Sequence, residues 1–470
     1  MTRSAASRRL VTHVIEQLSP GGPLHAVLGF QRQAVIRETT RHRIISLLPP
    51  DARAVRAAEH AGIGVAPRPD AEVLARELGA ADLVHVHFWN NPALFAWMTS
   101  ATPAMRVLIW CHVNGLHAPY VLPQSLLEFG DLVAVTSRAS LDLPVFRHVD
   151  QHRLAFLFAG ADFSRLADDG PAPHAEFTVG YLGRLDFVKA HPDLIPMSAA
   201  VRSGPLRFHF CGGGADQSEV ERQAETHGIR HRCTFTDHRE EIAPLLASFD
   251  VLGYPLRSDT SCTSELALQE AMYMGVPPVV FPHGGLDKIV RHGHNGLVVH
   301  TPQEYAGAID HLFDHPSKRA RLGTNAARDA RATFGAGRSA AGMAAAYEQL
   351  CRLPKRQRVA AIDARPCPGA RAFVESLDGQ DDGIFRASLV GSEAEAAEAA
   401  IANLGPQWRQ VILQYRVFYP SDPILRLWSG LLLRCQRPAL AASEFRGCQR
   451  LGFSPPRVER YRAGVGGSPP

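Results

Sequence analysis

Two rhythms alternate along this chain. From residue 9 to about 160, short runs of continuous apolar and β-branched residues, "RLVTHVI", "HRIISLL", "DLVHVHF", "MRVLIWCHV" and "DLVAVTS", are separated by longer segments of helical periodicity. Strands apolar at nearly every position, spaced by helices, predict a parallel sheet covered on both faces. After the proline-bearing stretch "DDGPAPHAEF" the rhythm restarts with "FTVGYLG", "LRFHFCG", "RCTFTD", "DVLGYPL", "PPVVF" and "GLVV". The expected architecture is α/β: two doubly wound domains, 1–172 and 173–356, facing a cleft at the carboxyl ends of their strands, where ligands of such sheets bind.

Past residue 357 only helical patterning remains. Ser392 and Glu395 read as a capping box ahead of "AEAAEAAIANLG", and Gly405-Pro406 is a stop signal. Leu427, Gly430, Leu433, Ala441 and Phe445 fall at spacings that resemble a tetratricopeptide hairpin, although one hairpin is too few for an array. Residues 357–470 are therefore expected to form an all-helical extension, either a docking module or an appendage packed on the second domain. The apolar stripe containing Trp408, Leu413, Tyr415, Leu427, Trp428, Leu432 and Phe445 suffices for a small satellite core.

Composition narrows the classes. With 470 residues, 46% hydrophobic and 20% charged, the chain is an ordinary globular protein of two or three domains. A net charge of +4 without a basic stripe speaks against a nucleic-acid partner. The apolar run after "MTRSAASRRL" is interrupted by His13 and Glu16 and is too short for a secretory leader, and no window reaches membrane-spanning length. Eight cysteines scattered without C-x-x-C pairs fit a reduced, cytoplasmic chain with no structural zinc.

Candidate chemistry sits at predicted strand ends. In "LSPGGPLHAVLGF" Gly21 and Gly22 open a helix, where a backbone can approach a ligand closely. In "VGYLGRLDFVKAH" Arg184 lies just past a strand and Lys189 five residues on. Two fixed cations there suit a diphosphate; the fragment alone is also that of two solvated side chains. The hydroxyl-rich loop from Ser258 to Ser264 is expected to cap the helix "ELALQEAMYMG", which begins at Glu265, and to turn its free N–H groups to the same cleft edge. Glu270, about two turns in, can accept two hydrogen bonds from a vicinal diol such as a ribose. An unpaired buried carboxylate is costly, which argues against a core-filling role. His85 and His87 alternate on a strand but lack a third ligand at metal-site spacing, and read as strand-end polar residues. His112 in "VLIWCHVNG" ends a strand at the cleft, yet a single histidine among 22 is usually structural.

Taken in order, "LVTHVIEQLSPGG", "ADLVHVHFWN", "GDLVAVTSRAS", "LFAGADFSRL", "GRLDFVKAHPDLI", "FHFCGGG", "FDVLGYP", "SELALQEAMYMGVPPVVF" and "VRHGHNGLVV" resemble the retaining GT-B glycosyltransferases of the family 4 type over about three quarters of the chain. The resemblance implies a nucleotide-diphosphate-sugar donor bound mainly by the second domain, and a saccharide, lipid or protein acceptor bound by the first. It implies net retention without metal or other cofactor. Arg184 and Lys189 match the family's diphosphate pair, Glu270 the later glutamate of its E-x7-E motif, and His112 the histidine near the transferred sugar. Gly22, Ser264 and Glu265 complete the implied donor site. The earlier glutamate falls at Cys262, a departure that puts donor selectivity or activity in doubt, although Glu265 three residues on matches a T-S-E variant among relatives. A peripheral membrane contact, and a protein partner docked through the C-terminal helices, stay open. The rival expectation is a degenerate GT-B protein that binds a nucleotide-sugar or a protein partner without turnover; an epimerase on the same fold fits the ordered segments less well.

Overall fold

The computed structural model describes residues 8–166, 176–239, 241–358, 368–390, 394–434 and 441. The first sheet comprises β1 (Arg9–Ile15), β2 (Thr40–Ser46), β3 (Gly64–Pro67), β4 (Leu83–Phe88), β6 (Val107–Cys111), β7 (Leu132–Val135) and β8 (Leu154–Phe156), in the order β3-β2-β1-β4-β6-β7-β8; a short edge strand, β5 (Thr102–Met105), precedes β6. The second comprises β9 (Phe177–Leu182), β10 (Leu206–Cys211), β11 (Cys233–Thr236), β12 (Val251–Tyr254), β13 (Pro278–Val280) and β14 (Leu297–Val298), in the order β11-β10-β9-β12-β13-β14. All pairings within both sheets are parallel. The central strand β4 is buried at all six positions, which is why its sequence is apolar throughout apart from two histidines. Each sheet reverses its strand order next to β1 or β9, and the carboxyl ends at those switch points face the interdomain cleft.

Two segments cross from the second domain back to the first. The helix Ala336–Cys351 lays Ala340, Met343, Tyr347 and Leu350 against Leu108 and Trp110 of β6. A short strand, β15 (Arg356–Arg358), then pairs antiparallel with β5. Arg358 is buried there, donating to the carbonyls of Phe129 and Met105 and to the Asp131 carboxylate at 2.9 Å.

The extension departs from expectation. Its helices, Pro368–Ser376, Gly383–Val390, Ala394–Ala402, Pro406–Phe418 and Pro423–Leu433, do not enclose a satellite core and do not pack chiefly on the second domain. Phe373, Phe385, Tyr415 and Trp428 join one continuous core with Phe95, Trp97, Ile109 and Leu126 of the first domain. The apolar stripe that would have served a docking module is spent there. The physical reason is area: burying an aromatic side chain of about 200 Å² is worth roughly 5 kcal/mol, and the helices on that face of the first sheet offer the surface. Polar ties reinforce the seam, with Asn90 Nδ2 donating to Ser376 O at 2.8 Å and Gln124 N to the Asp378 carboxylate at 2.7 Å. The capping box at Ser392, the far half of the tetratricopeptide-like spacing including Phe445, and the boundary near residue 172 lie outside the described residues.

Candidate active site

The donor-side loop is built on close backbone approach. After β9, Gly183 (φ +150°) places its carbonyl where a Cβ on Gly212 would sit 2.2 Å from it, and a Cβ on Gly214 would sit 2.3 Å from Leu185 O. Only glycines let the "CGGG" turn lie against the loop that carries Arg184. Leu185 N donates to Gly213 O at 2.6 Å and Tyr181 Oη to Arg184 O at 3.0 Å, fixing that loop. The Arg184 side chain is 68% exposed and its guanidinium lies 2.5 Å from the buried Asp186 carboxylate.

Lys189 has a partner that spacing did not reveal. Its Nζ lies 2.9 Å from Glu265 Oε2 and 5.3 Å from the centroid of the Tyr254 ring, whose hydroxyl also donates to Glu265. Burial opposes the Lys189 charge, but Glu265, Tyr254 and Cys262 outweigh it and hold the ammonium well above its ordinary value. Burial likewise opposes the Glu265 carboxylate, and Lys189 and Tyr254 bring it below its ordinary value. Both members are therefore ionised. Cys262 sits beside them, and burial followed by the Glu265 charge pushes its thiol up to about 12, so at neutral pH it is a neutral neighbour.

The hydroxyl loop does not cap the helix as expected. The helix Leu266–Tyr273 begins at Glu265, held in the left-handed region at φ 41°, with no side-chain cap. Its side chain is turned to Lys189 instead, and a non-glycine residue at positive φ is strain that a built site can hold. Ser264 Oγ accepts from Ala159 N at 3.1 Å; Gln269 accepts from Ala161 N at 3.1 Å and donates to Ala159 O at 3.0 Å. These two residues clamp the segment between the domains, so the hydroxyl of Ser264 serves the hinge in this conformation.

Glu270 is buried and paired with Arg165, which comes from the 3-10 turn Phe163–Arg165 after the hinge. Burial raises its pKa above the ordinary carboxylate value although Arg165 opposes this. Arg165 thus supplies the compensation that the sequence reading required of a bound diol. Gly22 opens the helix Gly22–Arg32, and no heavy atom lies within 4 Å of a Cβ built on Gly21 or Gly22, so neither is glycine for packing reasons.

The cleft is closed by direct contact. Asn114, two residues past His112, donates to Thr260 O at 2.6 Å and Cys262 O at 3.0 Å, and its backbone N–H to Ser261 O at 3.1 Å. Ser137 Oγ donates to Gly284 O at 3.2 Å. The extension joins this edge through Gln407, whose amide donates to Asp259 O at 2.7 Å. Asn114 and Gln407 went unnoticed in the sequence, because an isolated amide carries no spacing signal. A separate interdomain cavity of about 360 Å³, lined by Thr136, Arg138, Phe156, Thr263, Lys288 and Arg291 among others, includes none of Arg184, Lys189, Glu265 or Glu270.

His112 is stacked on Trp89, with ring centroids 4.4 Å apart, and its Nε2 meets His87 Nδ1 at 3.0 Å. The reading of His85 and His87 as strand-end polar residues is corrected here: both are fully buried, and with His13 each offers a ligand atom within 4.8 Å of the others. The third imidazole comes from another strand, β1, where His13 is in register with His85 of β4. Glu16, at the end of β1, is held by the Ala93 amide and the Asn91 side chain, and burial raises it to about 7.

Two Rossmann-like parallel-sheet domains that meet at the carboxyl ends of their strands define the GT-B class of fold. Residues 162–329 match the family described as glycosyl transferases group 1. D-inositol 3-phosphate glycosyltransferase of Rhodococcus erythropolis is 29% identical over 296 residues, 55% of this chain and 66% of that protein. Seven further relatives of the same name are covered over 62% to 69% of their length, so the matched region spans about two thirds of these proteins. Among solved structures, Anabaena HepE in complex with UDP and glucose superposes with a TM-score of 0.58 at 18% identity, over 73% of this chain and 100% of that one. Sucrose-phosphate synthase from Thermosynechococcus elongatus gives 0.55 at 18%, over 73% and 99%. No helix among the described residues is long and apolar enough to cross a membrane.

Proposed function

We propose that this chain is a retaining glycosyltransferase that moves a hexosyl group from a nucleotide-diphosphate-sugar to a hydroxyl acceptor. The reading is supported by Lys189, which follows β9, being paired with Glu265 at the start of the helix Leu266–Tyr273, and by Glu270 being buried within that same helix, which follows the neighbouring strand β12. Arg184 and Lys189 would neutralise the diphosphate, Glu270 would hold the ribose hydroxyls, and His112 would face the sugar. The bond from the anomeric carbon to the diphosphate oxygen breaks, the bond to the acceptor oxygen forms on the same face, and the acceptor proton passes to the departing diphosphate. Charge growing on that leaving group is what the two cations stabilise. No protein nucleophile is assigned and the chemistry requires no metal.

Cys262 motivates the second reading, binding without turnover. Glu265 supports the first, because it supplies a carboxylate 2.9 Å from Lys189 and beside Cys262. Release of nucleoside diphosphate from UDP-, GDP- or ADP-sugars, measured with polyol phosphates and simple sugars as acceptors, separates the two. A phosphorylated cyclitol is the first acceptor to try, given the names of the relatives. Tight donor binding with no diphosphate release under any condition would favour the non-catalytic reading.

A further inference from the structure

The buried histidines of the first domain form a directional chain that neither the function above nor the comparisons use. His42 Nδ1 meets His13 Nε2 at 2.8 Å, His13 Nδ1 meets His87 Nε2 at 3.0 Å, and His87 Nδ1 meets His112 Nε2 at 3.0 Å. Their order follows the strands β2, β1, β4 and the end of β6, which are adjacent in the sheet. Every link joins the Nδ1 of one ring to the Nε2 of the next. A neutral imidazole has one N–H and one lone pair. Each link uses one of each, so four neutral rings can satisfy all three links in only two ways: every ring Nδ1–H, or every ring Nε2–H.

The far end breaks the tie. His42 Nε2 is buried with no partner among the described residues. With every ring Nδ1–H that atom is a bare acceptor; with every ring Nε2–H it is a buried orphan donor, the rarer and costlier situation. We propose that His42, His13 and His87 act as positioning residues that fix the tautomer of His112, so that it presents Nδ1–H as a donor toward the cleft. Burial keeps the rings uncharged, as the chain requires. Trp89 stacked on His112 holds the plane in which that donor points. An acceptor atom of the sugar, a hydroxyl or ring oxygen, is the partner such a donor would select, whereas the opposite tautomer would select a hydroxyl hydrogen. A cation at His13, His85 and His87 would compete with this arrangement, because both nitrogens of His13 and of His87 are already engaged in the chain.

The inference uses the proposed function only for what His112 faces, and its test needs no turnover. In full-length protein with isotopically labelled histidine rings, long-range proton–nitrogen correlation NMR reports the tautomer of each ring. The expected result is Nδ1–H at His42, His13, His87 and His112 alike. His13→Leu should leave His87 and His112 as mixed tautomers while the near-UV spectrum stays native. An Nε2–H signal for His112 in the wild type would overturn the proposal. So would an unchanged His112 in folded His13→Leu, or stoichiometric zinc in the purified protein. The wild-type spectrum decides even if the variant fails to fold. An inactive protein with four Nδ1–H rings would refute the function and leave the chain standing.

Discussion

Acid should unfold the first domain steeply, and the slope follows from the same histidines. His13, His42, His85, His87 and His112 are held below their ordinary value of 6.5 mainly by burial, His42 to about 4 and His112 to about 3. The unfolded chain takes up protons on all five as the pH falls past 6.5, and the folded chain does not. Their contribution to stability is therefore fully present above about pH 6.5 and lost as the pH falls toward the folded values. Glu16 acts oppositely: raised from 4.5 to about 7, it keeps a proton that the unfolded chain releases. Four net protons at about 1.4 kcal/mol each amount to roughly 5 kcal/mol per pH unit between about pH 6 and 4.5. His191, His209 and His283, lowered chiefly by partial burial, give the second domain a dependence of the same sign. Since a domain is stable by only about 5–15 kcal/mol, one to three pH units below 6.5 should exhaust it. Guanidinium midpoints read by tryptophan fluorescence at stepped pH test this, because Trp89 and Trp110 lie against the cluster. A midpoint that stays flat from about pH 6.5 to 5 would mean that the rings are solvated or already charged, and would refute the burial argument.

Lys189→Ala should lower kcat by about 10²-fold or more if the ammonium stabilises the leaving diphosphate. It should also lower the melting temperature by stranding Glu265, with Lys189→Arg rescuing part of both; calorimetry and steady-state kinetics read the two effects. Glu270→Ala should weaken donor binding by about 1–3 kcal/mol, measured by titration calorimetry, since ribose hydroxyls lose a charged acceptor and Arg165 loses its partner. Truncation after Pro354 should give aggregated protein in size-exclusion chromatography, because Phe95, Trp97 and Leu126 would lose the aromatic face of the extension; a monodisperse truncated protein would count against the shared core.

The sheets were legible because parallel strands buried on both faces leave continuous apolar runs. Short edge strands such as Gly64–Pro67 and Thr102–Met105 bury too little to leave that trace. Arg184, Lys189 and Glu270 were singled out by motif order, but the pairings they make were not. Glu265 reaches Lys189 across 76 positions and Arg165 reaches Glu270 across 105, distances at which local periodicity carries no information. The histidine cluster was visible only as an alternating pair on β4, since His42, His13 and His112 join it through the strand order. The stripe on Phe373, Tyr415 and Trp428 announced a buried face and said nothing of which surface would cover it.

The central claim is a diphosphate-sugar site on the second domain, and titration calorimetry of UDP, GDP and ADP with their sugars into wild type and Lys189→Ala tests it most directly. The account predicts saturable binding of one nucleotide class to the wild type, weakened at least tenfold in the variant, which is about 1.4 kcal/mol. Absence of binding by every nucleotide, or equal affinity in wild type and variant, would contradict it.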